Sequence, residues 1–96
     1  MRMSCVYVIS EGKRGPVKVG VSKNPLARLV ELQCGNPKKL NLIDWWELPT
    51  RGDAFRIEGA IHDEMKPYAL VGEWINADEF GMCALVQARI EEAFHP

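Results

Sequence analysis

Two short runs rich in β-branched and aromatic residues, Cys5–Ser10 and Val17–Val21, flank the segment Glu11-Gly12-Lys13-Arg14-Gly15-Pro16. This pairing narrows the accessible folds most. Val, Ile and Tyr favour a pleated, half-buried surface, and a Gly/Pro-rich segment between two such runs reads as a turn. Residues 5–21 thus predict a hairpin with a long tip. Asn24-Pro25 then predicts a helix start, Asn as the cap and Pro at the first helical position. Leu26, Leu29, Val30 and Gln33 form its predicted inner face, Gly35 closes it, and Asn36-Pro37 prevents its continuation. Leu40–Leu48 predicts a third strand, with Trp45 and Trp46 on opposite faces.

Thr50 or Asp53 is the expected cap of a second helix reaching about Met65, with the stripe Ala54, Ile57, Ile61 and Met65. Lys66-Pro67 ends it. Asn76-Ala77-Asp78-Glu79 reads as a capping box, Asn76 at the cap, for a third helix to about Phe94. Phe80, Cys83, Ala84, Gln87, Ile90 and Phe94 are spaced for its inner face. The expected order is β-β-α-β-α-α. At 96 residues a single core is expected, so residues 1–96 predict one α+β domain: a small three-stranded sheet (hairpin plus third strand) flanked by three helices.

Several function classes are excluded. The longest apolar runs, Cys5–Ile9 and Met82–Val86, are five residues each, against the roughly 20 of a membrane span. The run after Met1-Arg2-Met3-Ser4 is too short for a signal peptide. Cys5, Cys34 and Cys83 form no C-x-x-C pair, which argues against a zinc ribbon or redox motif and leads us to expect a reduced, cytoplasmic protein. The net charge of −1 hides a split: residues 1–48 carry eight Lys/Arg against four Asp/Glu, and residues 49–96 carry four against nine. Such a split suits a phosphate-facing half and a metal-ligating half, or a solvated surface with no further meaning.

The ordered set Val6-Tyr7-Val8, Lys18-Val19-Gly20, Arg28 and Glu58 resembles the GIY-YIG nuclease superfamily. Val6 and Tyr7 sit at the Ile and Tyr of its first motif, and Lys18-Val19-Gly20 at its second. Arg28 and Glu58 lie on successive helices, as in the family. Tyr7, Lys18 and Arg28 also keep the family interval of roughly ten residues. Ile57-Glu58, Ile61-His62 and Gly72-Glu73-Trp74-Ile75 are similar to the short phage and bacterial branch, where Lys often opens the second motif. The resemblance spans about residues 5–76. Cys5 stands where the family has Gly, and Lys66-Pro67-Tyr68-Ala69-Leu70 lacks the Asn of the family's Pro-x-Tyr-Asn. Asn76 is better explained as a helix cap than as that Asn.

The resemblance implies a metal-dependent DNA endonuclease that hydrolyses phosphodiester bonds. Tyr7 would be the general base, its phenolate favoured by Lys18, Arg28 and a metal. Lys18 would stabilise charge beside Tyr7, or act as the base itself if neutral. Arg28 would clamp the scissile phosphate with its planar fork. Glu58 would bind one Mg²⁺ (or Mn²⁺). His62, four residues on, could orient Glu58, contact phosphate, bind the metal, or merely pair with Glu58 or Asp63. Gly20 is a structural part of the second motif. Lys13, Arg14, Lys38 and Lys39 lie on predicted loops and could touch the DNA backbone. Trp45, Trp46 and Trp74 are expected in the core or on a sheet face.

Taken singly, each residue has an ordinary alternative: a packed Tyr, a solvated Lys or Arg, loop charge. Two further readings therefore stand beside the nuclease. One is a catalytically weak or inactive DNA-binding or protein-interaction module on the same fold. The other is an interaction protein whose acidic third helix meets a partner. No helix suited to reading bases is evident, so either specificity is low or a homodimer or partner protein supplies it. The nuclease reading carries a spatial expectation. Lys18 and Arg28 should face Glu58 across one cleft, and most other acids of the second half should lie away from it.

Overall fold

Alternating side chains let one strand serve two layers, and the first strand does so. In the computed structural model, which describes residues 3–94, β1 (Ser4–Glu11) and β2 (Val17–Ser22) form the expected antiparallel hairpin. β3 (Leu40–Leu48) pairs with the other side of β1. Val6 and Val8 of β1, with Val17 and Val19 of β2, enter the main core, while Tyr7 and Ile9 enter a second cluster with Leu40. Being covered on both faces explains why Cys5–Ile9 is an unbroken apolar run rather than an alternating one.

The sheet has four strands in the order β3-β1-β2-β4, not the expected three. The added strand, β4 (Trp74–Ile75), pairs Val17 with Ile75 and Lys18 with Trp74. Two residues are too few to give a readable alternation. Beyond Lys18, among the described residues, the outer edge of β2 has no strand partner.

α1 (Pro25–Gln33) starts as expected: the Asn24 side chain accepts from the Ala27 N–H at 3.1 Å. Its C-terminal turn ends at Gly35, whose φ of +78° suits glycine. The expected inner face is only partly right. Leu29 and Leu32 pack on the Tyr7 cluster, but Leu26 is 60% and Val30 70% exposed. Pro25 is buried instead, so the helix is rotated from the face that periodicity suggests.

α2 (Arg51–Glu64) is capped by Thr50, whose Oγ1 accepts from the Asp53 N–H at 3.0 Å. Its stripe of Ala54, Ile57 and Ile61 is buried in the main core, with Met65 at the margin. A short 3₁₀ turn, Lys66–Tyr68, follows.

α3 (Glu79–Phe94) is capped by Asp78 rather than Asn76: Asp78 Oδ1 accepts from the Gly81 N–H at 2.8 Å. The Asn76 N–H donates to the Tyr68 carbonyl, and Glu79 accepts from the Arg14 N–H at 3.0 Å, so the capping box does not form. Met82 and Val86 are buried and Ile90 packs against them, whereas Phe80 is 76% exposed. The inner face is thus displaced from the expected one, though Cys83 and Ile90 belong to both.

Trp46 packs on the main core and donates from Nε1 to Gln87 Oε1 at 2.8 Å, while Trp45 lies on the Tyr7 face, opposite Tyr7. No helix among the described residues is long and apolar enough to cross a membrane.

Candidate active site

Gly20 decides where Tyr7 can go. The two residues face each other in the β1–β2 register, and the Tyr7 ring lies across the glycine. A Cβ at Gly20 would overlap Tyr7 Oη and come 3.0 Å from Cε2. The missing side chain carries the phenol toward the outer edge of the sheet while its ring stays 1% exposed.

Lys18 pairs with Ile9, two residues from Gly20 along β2, and so shares the Tyr7 face. Its stem is buried, leaving Lys18 8% exposed. Nζ lies 3.9 Å from Glu73 Oε2 and 5.8 Å from the centroid of the Trp74 ring. Arg28 comes from α1 on the same side. Its guanidinium lies near the Tyr7 hydroxyl, and Nη1 pairs with Glu31 at 3.4 Å.

Glu58 and His62 come from α2, on the opposite face, one turn apart. They reach the others at the unpaired edge of β2. There His62 Nε2 lies 2.8 Å from the Val19 carbonyl oxygen. A carbonyl only accepts, so Nε2 carries the proton and Nδ1 is the nitrogen able to face a cation. Glu58, His62 and Glu73 each offer one ligand atom within 4.8 Å of the others.

The electrostatics follow from this convergence. Burial pushes the Glu58 carboxyl above the usual carboxylate range, and the nearby Glu73 charge adds to it, with His62 and Lys18 opposing. The Glu58 and Glu73 carboxylates and an imidazole nitrogen of His62 together form a donor set of the kind that could hold a divalent cation. Burial also pushes the Tyr7 phenol up. Arg28 pulls it down by hydrogen bond and charge, while Glu73 and Glu58 add to the rise. The expectation that neighbouring cations favour phenolate is therefore not met by the protein's own residues: burial outweighs Arg28.

The structure thus brings Tyr7, Lys18, Arg28, Glu58 and His62 to one edge of the sheet. One further acid of the second half, Glu73, joins them, beside Glu58, His62 and Lys18. The Gly72-Glu73-Trp74 segment marks it in the sequence, without pointing to a role for its carboxylate. Lys13, Arg14, Lys38 and Lys39 gather instead at the hairpin-tip end, where Glu11 pairs with Leu40. There Lys38 holds Glu11 at 3.1 Å, and the Arg14 backbone is tied to Glu79.

Among curated proteins and among solved structures, nothing matches this chain. A family match covers nearly all of it: the T5orf172 domain, at residues 4–94. This is a phage-associated domain related to nucleases of the GIY-YIG and HNH-like kinds. With the match running from the first residue of β1 to the last of α3, the chain belongs to the T5orf172 domain family.

Proposed function

We propose that this protein is a metal-dependent DNA endonuclease of the GIY-YIG kind, close to the short phage and bacterial branch. One observation carries the reading. Tyr7, Lys18 and Arg28 meet the Glu58–His62–Glu73 group at a single open sheet edge, although they come from both faces. A packed tyrosine or a solvated arginine needs no such company.

Glu58, Glu73 and His62 would hold Mg²⁺ or Mn²⁺, which when bound would polarise the scissile phosphate and favour ionisation of nearby acids. Tyr7, once deprotonated, takes the proton of the attacking water at Oη. The new oxygen–phosphorus bond forms as the bond to the leaving strand breaks. Arg28, whose side chain is partly exposed and paired to Glu31 through Nη1, would exchange that partner for non-bridging oxygens of the phosphate and hold them bidentately. Lys18 adds a second cation, held in place by Trp74 and Glu73. Three free cysteines suit a reduced, cytoplasmic setting.

The test is plasmid nicking with Mg²⁺ or Mn²⁺ by wild type, Glu58→Ala and Arg28→Ala. Cleavage by wild type alone is expected, and equal cleavage by all three would refute the reading. The raised phenol favours one alternative, a DNA-binding module with little catalysis. That reading expects metal-free DNA binding, no nicking, and no change on Glu58→Ala.

A further inference from the structure

Beside this cluster lies a cavity of about 300 Å³ lined by Ser4, Val21, Ser22, Lys23, Arg51 and Phe55. Its lining carries two cations and no acid. Among the described residues, neither Lys23 nor Arg51 forms an ion pair. The Arg51 guanidinium lies 5.2 Å over the Phe55 ring, and Phe55 is 45% exposed despite its size. By contrast, a second concavity of about 410 Å³ is lined by Leu29, Val30, Gln33, Cys34 and Leu40, with no charge.

The first cavity shares a helix face and a strand with the cluster. Arg51, Phe55, Glu58 and His62 recur at helical spacing, so one face of α2 carries all four. On the strand side, Val21 and Ser22 extend β2 past Gly20, along the edge where His62 takes the Val19 carbonyl. Arg51 lies seven residues before Glu58, about 10 Å along the helix. That span equals roughly three rises of a stacked strand at ~3.4 Å each.

We infer that this cavity is a strand-holding subsite: Lys23 and Arg51 take a phosphate of the DNA strand, and the Arg51–Phe55 stack takes a neighbouring base. Unpaired cations on a cavity wall favour an anion, and a flat guanidinium on an aromatic ring favours a base face. The subsite fixes the run of the strand, from the Glu58 edge along α2 toward its N-terminus. The inference rests on the nuclease reading only for the identity of the strand at Glu58.

The test is fluorescence anisotropy with the full chain, in EDTA so that cleavage cannot interfere. The probes are a labelled mixed-sequence DNA duplex and its single strand, from about 50 to 200 mM salt. Lys23→Gln/Arg51→Gln should lower the slope of log affinity against log salt by roughly one to two. Phe55→Leu should weaken binding about fivefold or more, most on the single strand, and leave the slope unchanged. Arg56→Gln, on the outer face of α2 and paired with Asp53, should change neither. Absence of wild-type binding, pocket variants that bind like wild type, or an equal effect of Arg56→Gln would each overturn the inference. Nicking is read separately. Wild type that binds through these residues but never nicks refutes the nuclease reading alone. Wild type that nicks while the pocket variants bind normally refutes the subsite alone.

Discussion

The two faces of the sheet are built to different ends. On the α2/α3 face, Val6, Val8, Val17 and Val19 meet Ile57, Ile61, Met82 and Val86, with Trp46 at the margin. On the α1 face, a small cluster of Tyr7, Ile9 and Leu40 lies beside a buried lysine stem, under a single helix that leaves Leu26 and Val30 in water. One face holds the fold together. The other spends burial on a phenol and an ammonium group that a purely structural face would replace with aliphatic side chains. This contrast teaches that truncations in the main core should cost mostly stability, whereas changes at the Tyr7 hydroxyl or the Lys18 ammonium should, on the nuclease reading, cost mostly activity.

Truncation in the main core should have the largest effect. Ile61→Ala opens a cavity beneath β1 and β2 and should cost about 2–5 kcal/mol, a large share of the ~5–15 kcal/mol of a typical domain. Urea denaturation would read it. A small shift would mean that this face, too, is loosely packed.

Next comes Gly20→Ala on the other face. The new methyl must displace the Tyr7 ring, which is buried and has little space to yield. We expect about 1–3 kcal/mol of lost stability, a changed near-ultraviolet dichroism and no nicking. Tyr7→Phe separates the two effects. Removing the hydroxyl should move stability by only about 1 kcal/mol, yet lower cleavage by about 10² or more. A Tyr7→Phe protein that cleaves like wild type would remove Tyr7 as the base.

The third test uses pH. The Glu58 carboxyl is raised in the folded protein, so the folded state holds its proton more tightly than the unfolded chain does. That contribution is fully present below the unfolded value of about 4.5 and is lost as pH rises through the raised folded value. Wild type should therefore lose stability over that window relative to Glu58→Gln, and Mg²⁺ should restore it at neutral pH. Parallel pH profiles for the two proteins would contradict the burial of Glu58 and its crowding against Glu73.

The smallest effect belongs to the surface pair that joins α2 to α3. Arg89 grips Glu64 at 2.7 and 2.8 Å and lowers its pKa. That contribution is present above the unfolded value near 4.5 and fades as pH falls through the lowered one. Solvent screens the pair, so Arg89→Gln should lower the melting temperature only slightly at low salt and not at all at high salt.

Where local signals act within a few residues, the sequence was readable. Asn24-Pro25 and Thr50 start their helices because a side-chain oxygen meets an N–H three residues on. The α2 stripe was readable because Ala54, Ile57 and Ile61 face one continuous core. On α1 and α3, apolar residues lie on more than one side, and periodicity alone selected the wrong edge of each. Asn76 and Asp78 compete as caps within the same few residues. The pairing of Asn76 N–H with Tyr68, a contact brought by the 3₁₀ turn and β4, leaves Asp78 at the helix start.

For the site, the ordered residues Tyr7, Lys18, Arg28 and Glu58 were evident in the chain, because each sits at a fixed place on a strand or helix that the chain itself delimits. Their convergence was not. Glu58 and His62 lie on the face of the sheet opposite Tyr7, and only an unpaired edge of β2 lets the two sets meet. Glu73 joins them because β4 pairs with Lys18, a two-residue contact with no periodic signature. The sequence alone determined the elements, their caps and the chemical types available, since backbone sterics and side-chain capping are local. Tertiary structure decided which edge stayed open, which acid joined Glu58 and His62, and that burial raises the phenol. Those outcomes depend on strand order and on the exclusion of water by residues distant in the chain.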